Sequence, residues 1–128
     1  MKKILVVDNM EVGREFIETV LSTMYETFGA STGEEALKIF REARPDLVLS
    51  KVRLPDMSGA ELLNKLQSEF GEIIPFVMTG IDNASETESE ALKSGAWDFI
   101  RIPFAPEILF CRLEKVLWFA ERLTASCE

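Results

Sequence analysis

Ile4-Leu5-Val6-Val7-Asp8-Asn9 joins four consecutive apolar side chains to two polar ones. A short, continuous apolar run of this kind predicts a strand that is buried on both faces of a parallel sheet. Similar runs predict strands at 47–49, 73–78 and 97–102. The segment 25–28 is shorter and alternating, so it predicts a fifth strand near an edge of the sheet.

Helical patterns separate these five strands. The first helix carries an apolar stripe, spaced at three and four residues, that we expect to face the sheet: Val12, Phe16, Ile17, Val20, Leu21 and Met24. The second helix follows a cap at Ser31 or Thr32 and stops at Pro45. The third spans Gly59–Phe70 and is ended by Gly71.

The last two helices differ in hydrophobicity. The fourth, at 84–94, is rich in Ser, Thr and Glu, and we expect it to pack loosely through three apolar residues: Ala84, Ala91 and Leu92. The fifth, at about 106–123, is the most hydrophobic and carries a stripe of Leu109, Leu113, Val116 and Ala120. Strands that alternate with helices predict one doubly wound α/β domain of three layers over residues 1–128. In such folds the functional crevice lies beyond the carboxyl ends of the strands.

The composition excludes several functions. The net charge of −8 opposes binding to nucleic acid and to anionic membranes. There is no histidine, and Cys111 and Cys127 lack the spacing of a zinc site, so histidine-dependent hydrolysis is excluded and two reduced thiols are expected. No apolar run is long enough to span a bilayer or to form a signal peptide, because Asp8 interrupts the first one. We therefore expect a cytoplasmic protein.

The residues at the predicted strand ends form a recognisable set. Val6-Val7-Asp8, Asp46-Leu47-Val48-Leu49-Ser50, Leu54-Pro55-Asp56-Met57-Ser58-Gly59, Thr79-Gly80 and Gly95-Ala96-Trp97-Asp98-Phe99, with Pro103-Phe104, together resemble the receiver domain of two-component response regulators. The resemblance covers essentially the whole chain. It implies the flavodoxin-like strand order 2-1-3-4-5 and a role in intracellular phosphorelay signalling.

The pocket departs from the pattern that this resemblance implies. In the family, an aspartate that ends the third strand accepts a phosphoryl group, two acidic residues after the first strand help to hold Mg²⁺, and a lysine and a hydroxyl bind the phosphoryl oxygens. Here Lys51 stands at the acceptor position, Asn9 at the second acidic position and Ile102 at the position of the lysine before Pro103. Only Asp8 and Thr79 match. We therefore expect no cofactor, with Mg²⁺ binding weak or lost and Asp8 as the one residual metal-ligand candidate.

Asp8 and Lys51 are predicted to form an ion pair inside this crevice, which would hold the domain in one state. The alternatives for Lys51 are a solvated lysine without a partner or an introduced substitution. Asp8 also suits a cap on the following helix. Asp56 is interpreted as a turn residue and not as a substitute phosphoacceptor.

Aromatic side chains suggest a second functional region. We predict a switch or partner face formed by Trp97, Phe99, Phe110, Trp118 and Phe119. Phe99 falls at the family's aromatic switch position and is equally well explained as core. The helix aromatics are explained either by a partner or homodimer contact or by packing on the sheet. The resemblance also raises the expectation of a cis bond before Pro103.

These observations favour a receiver-like signalling module, not an enzyme, that does not use aspartyl-phosphate chemistry efficiently. The expected partners are proteins: a histidine kinase, an output domain or another regulator. One alternative is a conventional phosphorylatable receiver with a degenerate pocket. Another is a flavodoxin-like ligand binder or enzyme, although the chain lacks a glycine-rich phosphate loop. A further possibility is that the chain is one part of a longer regulator.

Overall fold

The computed structural model describes residues 1–81 and 85–127. Strands and helices alternate along the chain: β1 Lys3–Val7, α1 Glu11–Leu21, β2 Glu26–Ala30, α2 Gly33–Ala43, β3 Leu47–Lys51, α3 Gly59–Phe70, β4 Phe76–Ile81, α4 Ser85–Lys93, β5 Asp98–Ile102 and α5 Pro106–Cys127. None of the helices in the described part is long and apolar enough to cross a bilayer.

The sheet confirms the predicted fold. Its strands are all parallel and follow the order β2-β1-β3-β4-β5, which is the flavodoxin-like order. The strand predicted at 25–28 is the edge strand β2. The strand predicted at 73–78 begins later, at Phe76, because Pro75 has no N–H for the sheet and contributes only its carbonyl, which accepts a bond from the Val48 N–H.

Side chains alternate between two cores, one on each face of the sheet. Leu5 and Val7 contribute to the core under α2, α3 and α4, whereas Ile4 and Val6 contribute to the core under α1 and α5. Both faces of the central strands are therefore buried, as the continuous apolar run predicted.

The predicted stripe of α1 is partly wrong. Ile17 and Leu21 are buried and Val20 is half-buried, but Val12, Phe16 and Met24 are exposed. Residues four apart are rotated by about 400°, so a row at this spacing drifts around the helix by about 40° at each step. Val12 and Phe16 consequently lie outside the face that Ile17 and Leu21 present to the sheet, and Met24 lies beyond the end of α1.

The other helix predictions agree more closely with the structure. Leu109, Leu113 and Val116 of α5 are buried as predicted, and Ala120 is half-buried. α3 has the predicted bounds. In α4, Ala91 is buried and Leu92 is exposed, while the predicted first residue, Ala84, lies outside the described residues. Cys111 is an exposed free thiol; nothing is described of the Cys127 side chain.

The start of α2 is held by two separate segments of the chain. Thr32, not Ser31, is the N-cap, and its hydroxyl accepts the Glu35 N–H at 3.1 Å. Asp56, in the loop after β3, accepts the N–H groups of Gly33 and Glu34 at 2.9 and 3.0 Å. The helix ends at Ala43, with Arg44 in the left-handed conformation before Pro45. Asp56 is thus a structural cap of α2.

Asp56→Ala is expected to lower the free energy of unfolding by about 1 kcal/mol at pH 7, because two N–H groups of α2 lose their acceptor. Partial burial raises the pKa of Asp56, but the N–H groups of Gly33 and Glu34 together outweigh it and hold the pKa below its ordinary value. The stabilisation is therefore present above the ordinary aspartate pKa of about 3.9 and is lost as the pH falls through the lower, folded-state value.

Urea unfolding of the wild type, Asp56→Ala and the exposed control Glu72→Ala, at neutral and acidic pH, measures this effect. Equal stability of Asp56→Ala and the control at pH 7 would contradict the capping role.

Candidate functional site

The strand register places three of the predicted pocket residues, Asp8, Lys51 and Thr79, in one row. The β1–β3 pairing aligns Val7 with Ser50, so the next residues along these strands are Asp8 and Lys51. The β3–β4 pairing then aligns Lys51 with Thr79, and the β4–β5 pairing aligns Thr79 with Ile100. A carboxylate, an ammonium group and a hydroxyl therefore follow one another across β1, β3 and β4. Ile102 lies two positions beyond Ile100, the β5 partner of Thr79.

Asp8 is buried and firmly placed. Its backbone N–H donates to the Ala30 carbonyl at 3.0 Å, and its Oδ1 accepts the Met10 N–H at 2.9 Å. Asp8 thus holds the loop that leads into α1, while its carboxylate stays in the crevice. The capping alternative is wrong, because the N-cap of α1 is Met10 and no side chain caps this helix.

Arg14 is a positioning residue that the sequence analysis did not find. Its Nη1 donates to the Asp8 carbonyl at 3.0 Å and to the Ser31 hydroxyl at 2.9 Å, so it ties the ends of β1 and β2 together. Burial raises the pKa of the neighbouring Glu18 carboxyl, and the Arg14 charge opposes that effect. The sequence did contain a sign of this role. Arg14 lies three residues before Ile17 and seven before Leu21, so its cation is on the buried face of α1.

The predicted ion pair is present, but it is long and only partly buried. Lys51 Nζ lies 3.9 Å from Asp8 Oδ1, and the side chains are 27% and 8% exposed. This distance is an electrostatic contact and exceeds the length of a hydrogen bond. Lys51 is consequently not a solvated lysine without a partner.

Thr79 completes the polar part of the row. The residue is only 2% exposed, and its hydroxyl has no hydrogen-bond partner among the described residues. In the described part, every side-chain N or O atom that is fully buried has a hydrogen-bond partner. The Thr79 hydroxyl has none, so it is not fully buried and contacts solvent. It therefore faces the crevice.

The end of β5 contributes no donor side chain to the row. Ile102 is half-buried, aligns with Ile81 and precedes the expected cis bond to Pro103. Asn9 is exposed and makes no side-chain hydrogen bond to the described residues. The pocket thus contains Asp8 as its one carboxylate, opposed by one ammonium group.

This donor set does not fit Mg²⁺. The ion prefers several oxygen ligands around it, usually with one or two carboxylates. Asp8 already interacts with Lys51, and no group of three or more Asp, Glu, Cys or His residues in the described ranges is arranged to hold a metal. The charge of Lys51 takes the place that a bound cation would need.

The five aromatic residues predicted as one face lie in different environments. Phe99 is buried in the core below α4, where its ring covers Gly80, so the plain-core alternative describes its position. Trp97 and Phe110 are half-buried on the opposite face of the sheet, and Phe110 stacks on Tyr25. Only Trp118 and Phe119 are substantially exposed, at 48% and 49%. Of the predicted helix stripe, Trp118 and Phe119 are exposed, whereas Phe110 packs towards the sheet as the alternative for this residue stated.

Comparison with known protein sequences identifies the family of this chain. The family model of the response regulator receiver domain matches residues 4–114. The chain belongs to this family. It is 36% identical over 126 residues to a probable transcriptional regulator ycf27 of Pyropia yezoensis, covering 98% of this chain and 51% of that protein. It is 35% identical over 118 residues to the phosphate regulon transcriptional regulatory protein PhoB of Pseudomonas aeruginosa, covering 91% and 52%. This receiver domain spans about half the length of these curated relatives.

Solved receiver structures share its fold. The chemotaxis protein CheY4 of Vibrio cholerae superposes with a TM-score of 0.83 at 30% identity, covering 91% of this chain and 98% of that one. A putative response regulator from Chloroflexus aurantiacus gives a TM-score of 0.85 at 28% identity, covering 91% and 97%.

Lys51→Met is expected to lower the free energy of unfolding by roughly 1–3 kcal/mol, because it leaves the buried Asp8 carboxylate without its cation. Asp8→Asn should cost less, since Lys51 is partly exposed and its ammonium group can turn to water while Asn still accepts the Met10 N–H.

Urea unfolding measures both variants and their double mutant. Lys65→Met on the exposed face of α3 is the matched control. A coupling energy near zero in the double-mutant cycle would show that the pair contributes nothing.

Proposed function

We propose that this receiver domain signals through protein contacts and does not run the aspartyl-phosphate reaction efficiently. The observation that carries the proposal is Lys51 Nζ beside Asp8 in the row where the acceptor carboxylate is expected. The ion pair already balances the charge in the crevice. In a receiver that is phosphorylated, a metal ion and a phosphoryl group change that charge. The balanced domain therefore stays in one conformational state.

The chemistry of the three altered positions supports this proposal. A protonated amine has no lone pair with which to attack phosphorus, so Lys51 cannot replace a carboxylate nucleophile. Ile102 supplies no positive charge to the transferred group, and Asn9 removes a negative charge from the metal site. Each change removes a different part of the reaction, and no single reversion restores the others.

The partners follow from the relatives that this domain resembles. Those relatives are named as transcriptional regulators and are about twice as long as the chain. We propose an output domain, a histidine kinase or another regulator as the protein partner. The homodimer through the last helix, expected from the exposed Trp118 and Phe119, stays a prediction.

The competing function is a conventional phosphorylated receiver with a degenerate pocket. The specific observation in its favour is Thr79, whose buried hydroxyl faces the crevice where a phosphoryl oxygen would need a donor. The two functions differ in one measurable product, an aspartyl phosphate.

Incubation with Mg²⁺ and a small-molecule acyl phosphate, followed by intact mass spectrometry, tests the proposal. The wild type is expected to gain no phosphoryl group, and Lys51→Asp alone should gain little, because Ile102 still supplies no charge. The triple variant Asn9→Asp, Lys51→Asp, Ile102→Lys restores each missing part and should become phosphorylated. Adding Thr79→Ala to that variant should reduce the yield. Stoichiometric phosphorylation of the wild type would refute the proposal.

A further inference from the structure

Lys51 differs from the other lysines in the surroundings of its amine. Its side chain is 27% exposed, and within the described residues its Nζ makes no hydrogen bond and one ion pair, 3.9 Å from Asp8 Oδ1. Lys2 and Lys3 have closer contacts, at 2.6 Å to a carboxylate oxygen and at 3.2 Å to a backbone carbonyl. The remaining four lysines are exposed: Lys38, Lys65, Lys93 and Lys115. The Lys51 amine is therefore partly enclosed by the crevice and yet lacks a short contact.

A second hydrogen-bond donor lies beside this amine. Thr79 on β4 is the register partner of Lys51, and its hydroxyl faces the crevice without a partner among the described residues. Because β3 lies between β1 and β4, Asp8 and Thr79 are on opposite sides of Lys51. An anion that contacts the Thr79 hydroxyl and the Lys51 ammonium group therefore approaches from the side away from the Asp8 carboxylate. The two donors suit the oxygens of a small phosphorylated molecule.

The kind of nucleophile decides which atom of such a molecule reacts. An acyl phosphate is a mixed anhydride of a carboxylic acid and phosphoric acid, and it has two electrophilic atoms, the phosphorus and the carbonyl carbon. A carboxylate acceptor takes the phosphoryl group, whereas a lysine amine is a nucleophile for carbonyl carbon. With Lys51 at the acceptor position, the carbon is the atom that reacts and the phosphate is the leaving group.

We propose that Lys51 is a site of N-acylation by a small acyl phosphate that binds in the crevice. The Lys51 ammonium group and the Thr79 hydroxyl hold the phosphate oxygens, and one ammonium proton moves to the phosphate. The neutral Nζ then attacks the carbonyl carbon, and the new C–N bond forms as the bond from that carbon to the phosphate oxygen breaks. The electron pair of the broken bond and a second nitrogen proton leave with the phosphate, so the products are an amide and dihydrogen phosphate.

Acylation changes the charge of the crevice. The amide is neutral, so the crevice loses one positive charge and the Asp8 carboxylate, which is 8% exposed, loses its cation. Phosphorylation of an acceptor carboxylate also makes a site more negative. This inference rests on the proposed function, in which the Asp8–Lys51 pair holds the domain in one state, and adds the reaction that removes the pair.

Timed incubation of the full chain with acetyl phosphate, followed by peptide mass mapping, tests the inference. Lys51 should gain an acetyl group at least about fivefold faster than the exposed control Lys38, because binding in the crevice holds the reacting atoms together. N-hydroxysuccinimidyl acetate carries no phosphate for the two donors to bind, so with this reagent the more exposed Lys38 should react first.

Two variants assign the reaction to the crevice. Thr79→Val keeps the shape of the side chain and removes the hydroxyl, so loss of one hydrogen bond to the anion should slow Lys51 acetylation by acetyl phosphate about fivefold or more. The rate at Lys38, and both rates with N-hydroxysuccinimidyl acetate, should not change. Lys51→Arg keeps a cation beside Asp8 and should gain no acetyl group at this position.

The effect on the ion pair is measured separately. The Lys51-acetylated protein and Lys51→Gln, which carries an amide in place of the ammonium group, should both unfold at a lower urea concentration than the wild type. Backbone amide shifts should change at Asp8 and Thr79 in both. Lys38→Gln is the matched control and should unfold as the wild type does.

Equal acetylation of Lys51 and Lys38 by acetyl phosphate, the same order of reaction with both reagents, or an unchanged Lys51 rate in Thr79→Val would each overturn the inference. Acetylation of Lys51 that leaves the unfolding transition in place would overturn its effect on the pair. A phosphoryl group gained by the wild type would instead refute the proposed function. Acetyl and phosphoryl groups differ in mass, so one spectrum distinguishes the two failures.

Discussion

The parallel register of β1, β3 and β4 brings residues from distant parts of the chain to one edge of the sheet. Asp8 follows β1, Lys51 ends β3, and Thr79 lies two residues before the end of β4; the pairing of Val7 with Ser50 and of Lys51 with Thr79 makes them neighbours. A charged side chain at this edge is partly buried by the neighbouring strand ends and loops. Partial burial removes water from the charge, so the charge needs a nearby group of opposite sign. Lys51 finds that partner in Asp8, and the character of the site follows from this balance.

The remaining contacts around the site keep this arrangement in place. Arg14 binds the Asp8 carbonyl and connects it to Ser31 at the end of β2. Asp56 connects the loop after β3 to the start of α2. The framework is therefore that of a receiver domain with anchored loops, and Asn9, Lys51 and Ile102 stand where the family resemblance implies two carboxylates and a lysine. The fold tolerates these residues because core packing does not depend on the residues at the strand ends.

The two ends of the domain offer different surfaces. The crevice is nearly neutral, since one carboxylate faces one ammonium group. At the opposite end, a groove beside α5 is lined by apolar side chains together with Asp98, Arg112 and Lys115.

The sequence alone determined the fold class, the strand order through the family resemblance, the bounds of α3 and the proximity of Asp8 and Lys51. These features depend on local patterns: continuous apolar runs, caps, and polar residues directly after strands. The tertiary structure decided which apolar residues are buried. Phe16 and Phe99 are both phenylalanines at plausible core spacings, yet Phe16 is exposed and Phe99 is covered by α4, because burial depends on what packs against each position. The tertiary structure also decided the long Asp8–Lys51 distance, the Arg14 bridge to Ser31 and the Asp56 cap. Each of these contacts joins separate segments of the chain, and no local sequence pattern gives the distance between them.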